Sequence, residues 1–361
     1  MRGFTVLLAF VLLGLHPVLG QGQQWRQQAS GTDVQLRGIS AVSDKVAWAS
    51  GTKGTVLRTI DGGATWTKVN VPDAEALDFR DIQAFDQNTA FVLSIGPGEQ
   101  SRIYKTTDGG KTWRLQFTNK DPKAFYDCFA FWDSTHGIAV SDSVDGKFPL
   151  IETSDGTSWA PVTVRKMPAA LPNEGAFAAS GTCIATFGKK DVWFGTGGPA
   201  ARVFHSSDQG ANWTVAETPI IHGEASQGIF SVLFYSRKNG VVVGGDYQDW
   251  TRTERISAFT HDGGKIWSLS AQMPNGYRSG LSLWGPDRDQ LVAVGISGAE
   301  ISQDGGKEWS GPRLVDKPWT RTDAYAHNAV SCTRTTCWAV GPHGRISWST
   351  RPSPIPGATL R

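Results

Sequence analysis

Six times this chain runs an Asp-Gly turn into a tryptophan, beginning with Asp61-Gly62-Gly63-Ala64-Thr65-Trp66 and recurring from Asp108 to Trp113, Asp155 to Trp159, Asp208 to Trp213, Asp262 to Trp267 and Asp304 to Trp309. Successive aspartates stand 47, 47, 53, 54 and 42 positions apart. That is the length of one small four-stranded sheet with its turns, too long for an ankyrin or helix-pair unit. The expected fold is therefore all-β, a ring of repeated sheets. With 42 glycines, 15 tryptophans and only 19% charged residues among 361, the composition suits turns and packed aromatics and excludes disorder.

Laid over one another, the repeats parse as four short strands. The first reads Leu36 to Val42, Val46 to Ala49, Val56 to Thr59, then the box and Trp66 to Val69. The second strands, such as Val241-Val242-Val243 and Leu291 to Val294, are apolar throughout, as strands buried on both faces must be. In the box, the Asp can accept amide hydrogens of its own turn, the glycines take backbone conformations closed to other residues, and the Trp can pack between neighbouring sheets. Such a motif staples a fold and does no chemistry. After the sixth box the chain supplies three more strands, ending at Arg345-Ile346-Ser347-Trp348, but Ser349 to Pro352 replaces the expected box. Gln24-Trp25-Arg26-Gln27 has the look of the missing outer strand. Closing the ring with it removes exposed sheet edges, so seven four-stranded antiparallel blades are predicted over residues 21–350, followed by a tail at 351–361.

The pattern at Thr106 to Trp113, Thr-Thr-Asp-Gly-Gly-Lys-Thr-Trp, resembles the BNR or Asp-box repeat of sialidases, sortilin-type receptors, some xyloglucan hydrolases and photosystem II stability/assembly factor-like proteins. The longer sentence, Arg37-Gly38-Ile39, Ala47 to Gly51 and Gly54 to Thr59 leading into the box, is similar to the last of these from about Trp25 to Thr350. That resemblance implies a seven-bladed propeller closed by its N-terminal strand, and a chaperone-like scaffold that binds protein on one face. It does not by itself imply a photosynthetic role.

Residues 1–20 read as a targeting signal: Arg2, an apolar run from Phe4 to Leu15, and Val18-Leu19-Gly20 with small residues at the cleavage positions. A periplasmic or secreted monomer without a transmembrane anchor is expected. Cys332 and Cys337 flank a tight hairpin and are expected to form a disulfide; Cys128 and Cys183 are as readily free buried thiols as a bridge. No metal-ligand spacing or cofactor motif is present, and a net charge of +2 argues against nucleic acid.

Function is sought in polar residues ahead of, or between, the strands. Arg37, Arg80 and Arg278 each precede an inner strand, where they either gather at one mouth of the channel to bind an anion or pair locally, with Asp81 for example or with carbonyls between blades. Loops carrying Asp142, Asp145 and Lys147, Glu174, and Asp246 with Tyr247 break the repeat and can converge on one face, with His222, Glu224 and His327 nearby. A protein or peptide partner is the first expectation, and carbohydrate is possible. The alternative is a sialidase-like glycosidase using Asp142, Glu174 and Tyr247 or Tyr126, although no Phe/Tyr-Arg-Ile-Pro segment accompanies the boxes. A sortilin-type receptor comes third, because no anchor or cysteine-rich module follows the repeats.

Overall fold

The computed structural model describes residues 25–285, 289–311 and 326–351. The targeting signal read at 1–20 and the tail beyond Arg351 lie outside the described residues. Seven antiparallel sheets follow one another along the chain, and the one helical turn among the described residues is a 3₁₀ segment at Gly98–Gln100. The first blade comprises Leu36–Ala41, Ala47–Gly51, Thr55–Thr59 and Thr67–Asn70, innermost strand first. Later blades occupy 78–118, 126–161, 184–217, 227–269, 280–302 and 329–350. Second strands such as Ala47–Gly51 and Gly240–Asp246 are buried along their whole length, as their apolar and small residues up to the terminal Asp246 require.

Ring closure follows the sequence expectation. Arg26–Gln28 pairs antiparallel with Ile346–Thr350, with Arg26 opposite Trp348 and Gln28 opposite Ile346. The side chain of Gln28 then joins the last blade to the first, its Oε1 accepting from Trp66 Nε1 at 3.0 Å and from Trp338 Nε1 at 3.3 Å. One blade departs from the four-strand expectation. The sixth sheet has three strands among the described residues, and its outer edge is reduced to a bridge between Ile301 and Ser310 just after the box.

The boxes are built by their own hydrogen bonds. Thr59 Oγ1 donates to Asp61 Oδ1 at 2.8 Å and accepts the Gly63 amide at 2.8 Å, while Asp61 takes the Thr65 amide at 2.9 Å and the Thr65 hydroxyl at 2.6 Å. The Asp108 turn repeats these contacts with Thr106, Gly110 and Thr112. Hydroxyl donation from Thr65 and Thr112, then their amides, holds the Asp61 and Asp108 carboxyls down to about 2. In the fourth box Gln209 takes φ +62°, the left-handed conformation that glycine supplies elsewhere, as at Gly62 with φ +78°.

Each box tryptophan fills the seam between its own blade and the one before it. Trp113 packs with Trp48 and Val56 of the first blade, Trp159 with Phe91 of the second, and Trp309 with Val241 and Val243 of the fifth. In the seam between sixth and seventh blades, beside Val292, Val330 and Ala339, the corresponding indole is Trp25.

Candidate functional site

Four inner strands carry a β-bulge at the same point, and the bulges build the site. The register slips between Leu36 and Gly38, Phe79 and Asp81, Tyr126 and Cys128, and Ile229 and Ser231, leaving Arg37, Arg80, Asp127 and Phe230 as the extra residues. A bulge re-aims the side chain it releases from the ladder. All four line one cavity of about 630 Å³, which Ser279 and Asn328, just ahead of the sixth and seventh inner strands, also line.

Two of its walls differ in chemistry. On the side of the first three blades, Arg80 donates to Asp78 at 2.9 Å and to the Ala178 carbonyl at 2.9 Å, and Arg37 reaches the same carbonyl at 3.5 Å. Burial, then the neighbouring Arg80 charge, pulls the Arg37 guanidinium down to about 10. Burial lifts the Asp127 carboxyl well above its ordinary range, and the Asp142 carboxylate lifts it further. Asp142, also on the cavity, is pushed up to about 6 by burial, although its Oδ1 accepts the Ala176 amide at 2.9 Å. The cavity also has an aromatic wall. Phe177 and Phe230 stack with centroids 3.8 Å apart, Tyr277 meets Phe230 edge-on at 4.7 Å, and Tyr247, 44% exposed, extends the wall toward solvent.

The backbone around the cavity is shaped to admit these side chains. A Cβ on Gly197 would stand 2.3 Å from the Phe177 ring, and one on Gly175 would stand 2.4 Å from Asp142 Oδ1. The Cys128–Cys183 disulfide, with Cα atoms 6.1 Å apart, ties the strand bearing Asp127 to the segment that follows the cavity-lining 176–179 stretch. The expected Cys332–Cys337 bridge is formed as well, across a directly opposed strand pair.

The residues singled out in the sequence fall into three groups. Arg37, Arg80, Asp142 and Tyr247 come together at the cavity. Glu174 and Arg278 lie nearby but are spent on buried ion pairs: Glu174 with Arg202, whose Nε lies 2.8 Å away, and Arg278 with Glu300 at 2.5 Å. Arg278 does not share the repeat position of Arg37. Gly38 opposes Ser50 and Gly280 opposes Val294, each one residue before the glycine that ends its strand, so Ser279 is the counterpart of Arg37 and Arg278 that of Leu36. A one-residue slip sends a side chain to the other face.

The remaining residues are elsewhere. Asp246 caps its own turn through the Gln248 and Asp249 amides and accepts from Gln227 at 3.0 Å. His327 is buried, hydrogen-bonded to Ser347 at 2.8 Å and tilted on Trp25. Lys147 and His222 are exposed, Asp145 pairs with Lys123 at 3.1 Å on the surface, and Tyr126 packs edge-on against Phe117. Asp81, offered as a local arginine partner, instead accepts the Phe129 amide at 2.8 Å. Asp127 and Phe230 were not expected at the site. Aligning the repeats on Arg37 would have found both, since each stands one residue before the strand position that Gly38 holds.

Comparison with known proteins agrees with this architecture. Residues 19–134 match the family model described as Photosynthesis system II assembly factor YCF48. The structure of YCF48 bound to D1 peptide superposes with a TM-score of 0.65 at 14% identity, covering 91% of this chain and 97% of that one. Virginiamycin B lyase from Staphylococcus aureus superposes equally well, TM-score 0.65 at 11% identity over 91% and 99% of the two chains, a likeness of fold alone. Vacuolar protein sorting/targeting protein 10 of Colletotrichum graminicola is 32% identical over 84 residues, 23% of this chain but only 5% of that protein. The chain thus spans a small fraction of the curated relatives it matches. The chain is thus a seven-bladed β-propeller, closed by its N-terminal strand, whose residues 19–134 resemble the photosystem II assembly factor-like family of BNR/Asp-box repeats.

Proposed function

We propose that this propeller is an exported scaffold that holds an extended peptide segment of a protein partner on the face where the cavity opens. The observation that carries the proposal is the ring of bulge residues. Inner strands otherwise buried in the ladder release Arg37, Arg80, Asp127 and Phe230 together into one cavity of about 630 Å³, a size suited to a few residues of chain. Arginine and stacked aromatics are the residue types that anchor peptide contacts. The D1 peptide bound to YCF48, on the same fold, supports the same mode of use. The glycosidase alternative draws less support, since of the two acids named for it Glu174 is consumed by Arg202 and only Asp142 lines the cavity.

A pool of labelled random dodecapeptides with both ends capped tests this reading. The wild-type protein should retain a sequence-enriched subset that the Arg37→Ala/Arg80→Ala variant loses, with both proteins equally folded by circular dichroism. Equal retention by the two would overturn it. Export is tested separately by fractionating cells that express the chain with and without residues 1–20.

A further inference from the structure

Two cavity-lining groups, a guanidinium and a carboxyl, each keep one buried polar atom without a hydrogen-bond partner. Arg37 has a buried Nε with no hydrogen-bond partner, its guanidinium makes one long hydrogen bond, to the Ala178 carbonyl, and no carboxylate lies within 4.0 Å of it among the described residues, although the Asp78 charge acts on it from farther away. Asp127 is 1% exposed and no Lys, Arg or His nitrogen comes within 4.0 Å of it among the described residues; the Asp142 and Ala178 amides and the Arg80 charge favour its carboxylate, but its Oδ2 has no hydrogen-bond partner. Arg80, which stands between them in the ring, is already engaged by Asp78 and the Ala178 carbonyl. Leaving such groups unpaired is costly, on the order of 1–3 kcal/mol for each unsatisfied polar group and more for a charge. Both are nonetheless aimed into the same space, alongside the Phe177, Phe230 and Tyr277 wall that Gly197 makes room for.

We infer that the cavity is a binding site for a short zwitterionic peptide, a di- or tripeptide with both ends free and an apolar or aromatic side chain. Its α-carboxylate meets the Arg37 guanidinium, its α-ammonium meets the Asp127 carboxyl, and its side chain lies on the aromatic wall. The spacing favours a peptide over a free amino acid. Arg37 and Asp127 stand on the first and third blades, with the Arg80 bulge between them, whereas the two charges of an α-amino acid share one carbon. Each added residue separates the termini by up to about 3.5 Å. The inference uses the cavity proposed above for a partner segment, but requires free ends where that reading does not.

Calorimetric titration with Ala-Phe-Ala bearing free ends, and with its N-acetylated, C-amidated and doubly capped forms, separates the two. The free tripeptide should bind the wild-type protein at least tenfold more tightly than either singly capped form. In Asp127→Asn the N-acetyl group should cost nothing further, and in Arg37→Gln the C-terminal amide should cost nothing further. If the doubly capped peptide binds as well as the free one, the zwitterion site is refuted while the partner-segment reading stands. If none of the four binds but capped dodecapeptides do, the same holds. Should a variant fail to fold, the four peptides on the wild-type protein still decide the matter.

Discussion

Arg37 and Asp127 occupy the same residue of the repeat, the bulge of an innermost strand, and present a guanidinium and a carboxyl to one cavity. Identical backbone geometry in two blades presents a cation in one and a carboxyl in the other. The scaffold supplies the placement, and the residue at the bulge supplies the chemistry.

Glu174 is buried with its carboxylate wholly committed: Oε1 accepts from Arg202 Nε at 2.8 Å and Thr196 at 2.6 Å, and Oε2 takes the Leu171 amide at 2.8 Å. Arg202→Ala should therefore destabilise the protein by about 3–5 kcal/mol, because it strands a buried charge. Urea unfolding followed by tryptophan fluorescence measures this. Replacing both partners with apolar residues should cost markedly less.

The disulfides differ in the loop they close. Cys128 and Cys183 are 55 residues apart and Cys332 and Cys337 only 5. Loop entropy makes the first worth about 4 kcal/mol and the second about 2. Thermal unfolding of the paired alanine variants should show the larger drop for Cys128→Ala/Cys183→Ala. That variant should also lose peptide affinity, since the bridge anchors the strand bearing Asp127.

Acid stability should show two opposed trends. Asp61 and Asp108, lowered to about 2, contribute stability that is present above pH 4 and lost as pH falls toward 2. Asp142, raised to about 6, binds a proton more tightly in the folded state, so its ionisation removes stability as pH rises from about 4 to 6. Asp142→Asn should abolish that second loss, on the order of 3 kcal/mol, in melting temperatures measured between pH 4 and 7.

Trp25 occupies the seam that a box tryptophan fills in the other blades. Trp25→Ala should cost about 3 kcal/mol. Hydrogen exchange should then rise first in Ile346–Thr350, the strand whose outer partner the N-terminal segment supplies.

Architecture was legible because it is local and repeated. Asp61 and Trp66 lie five residues apart, their turn closes on its own hydroxyls and amides, and six copies establish the period without any long-range knowledge. Even the missing seventh box pointed correctly to Trp25 and the closing strand. Arg37 and Arg80 were identifiable as polar residues at innermost strands, and Asp142 and Tyr247 as residues of loops that break the repeat after second strands, but not as neighbours. What brings them together is the convergence of separate blades on one channel, and whether each side chain reaches it depends on strand register. Arg278 shows this most clearly: one residue out of step with Arg37, it turns into the protein and pairs with Glu300, while Asp127 and Phe230 inherit the cavity. The chain alone determined the repeat, the ring and its closure, because short-range hydrogen bonding and hydrophobic alternation encode them. Only the tertiary structure decided which charges face the cavity, because side chains alternate between faces and a bulge of a single residue reverses the choice.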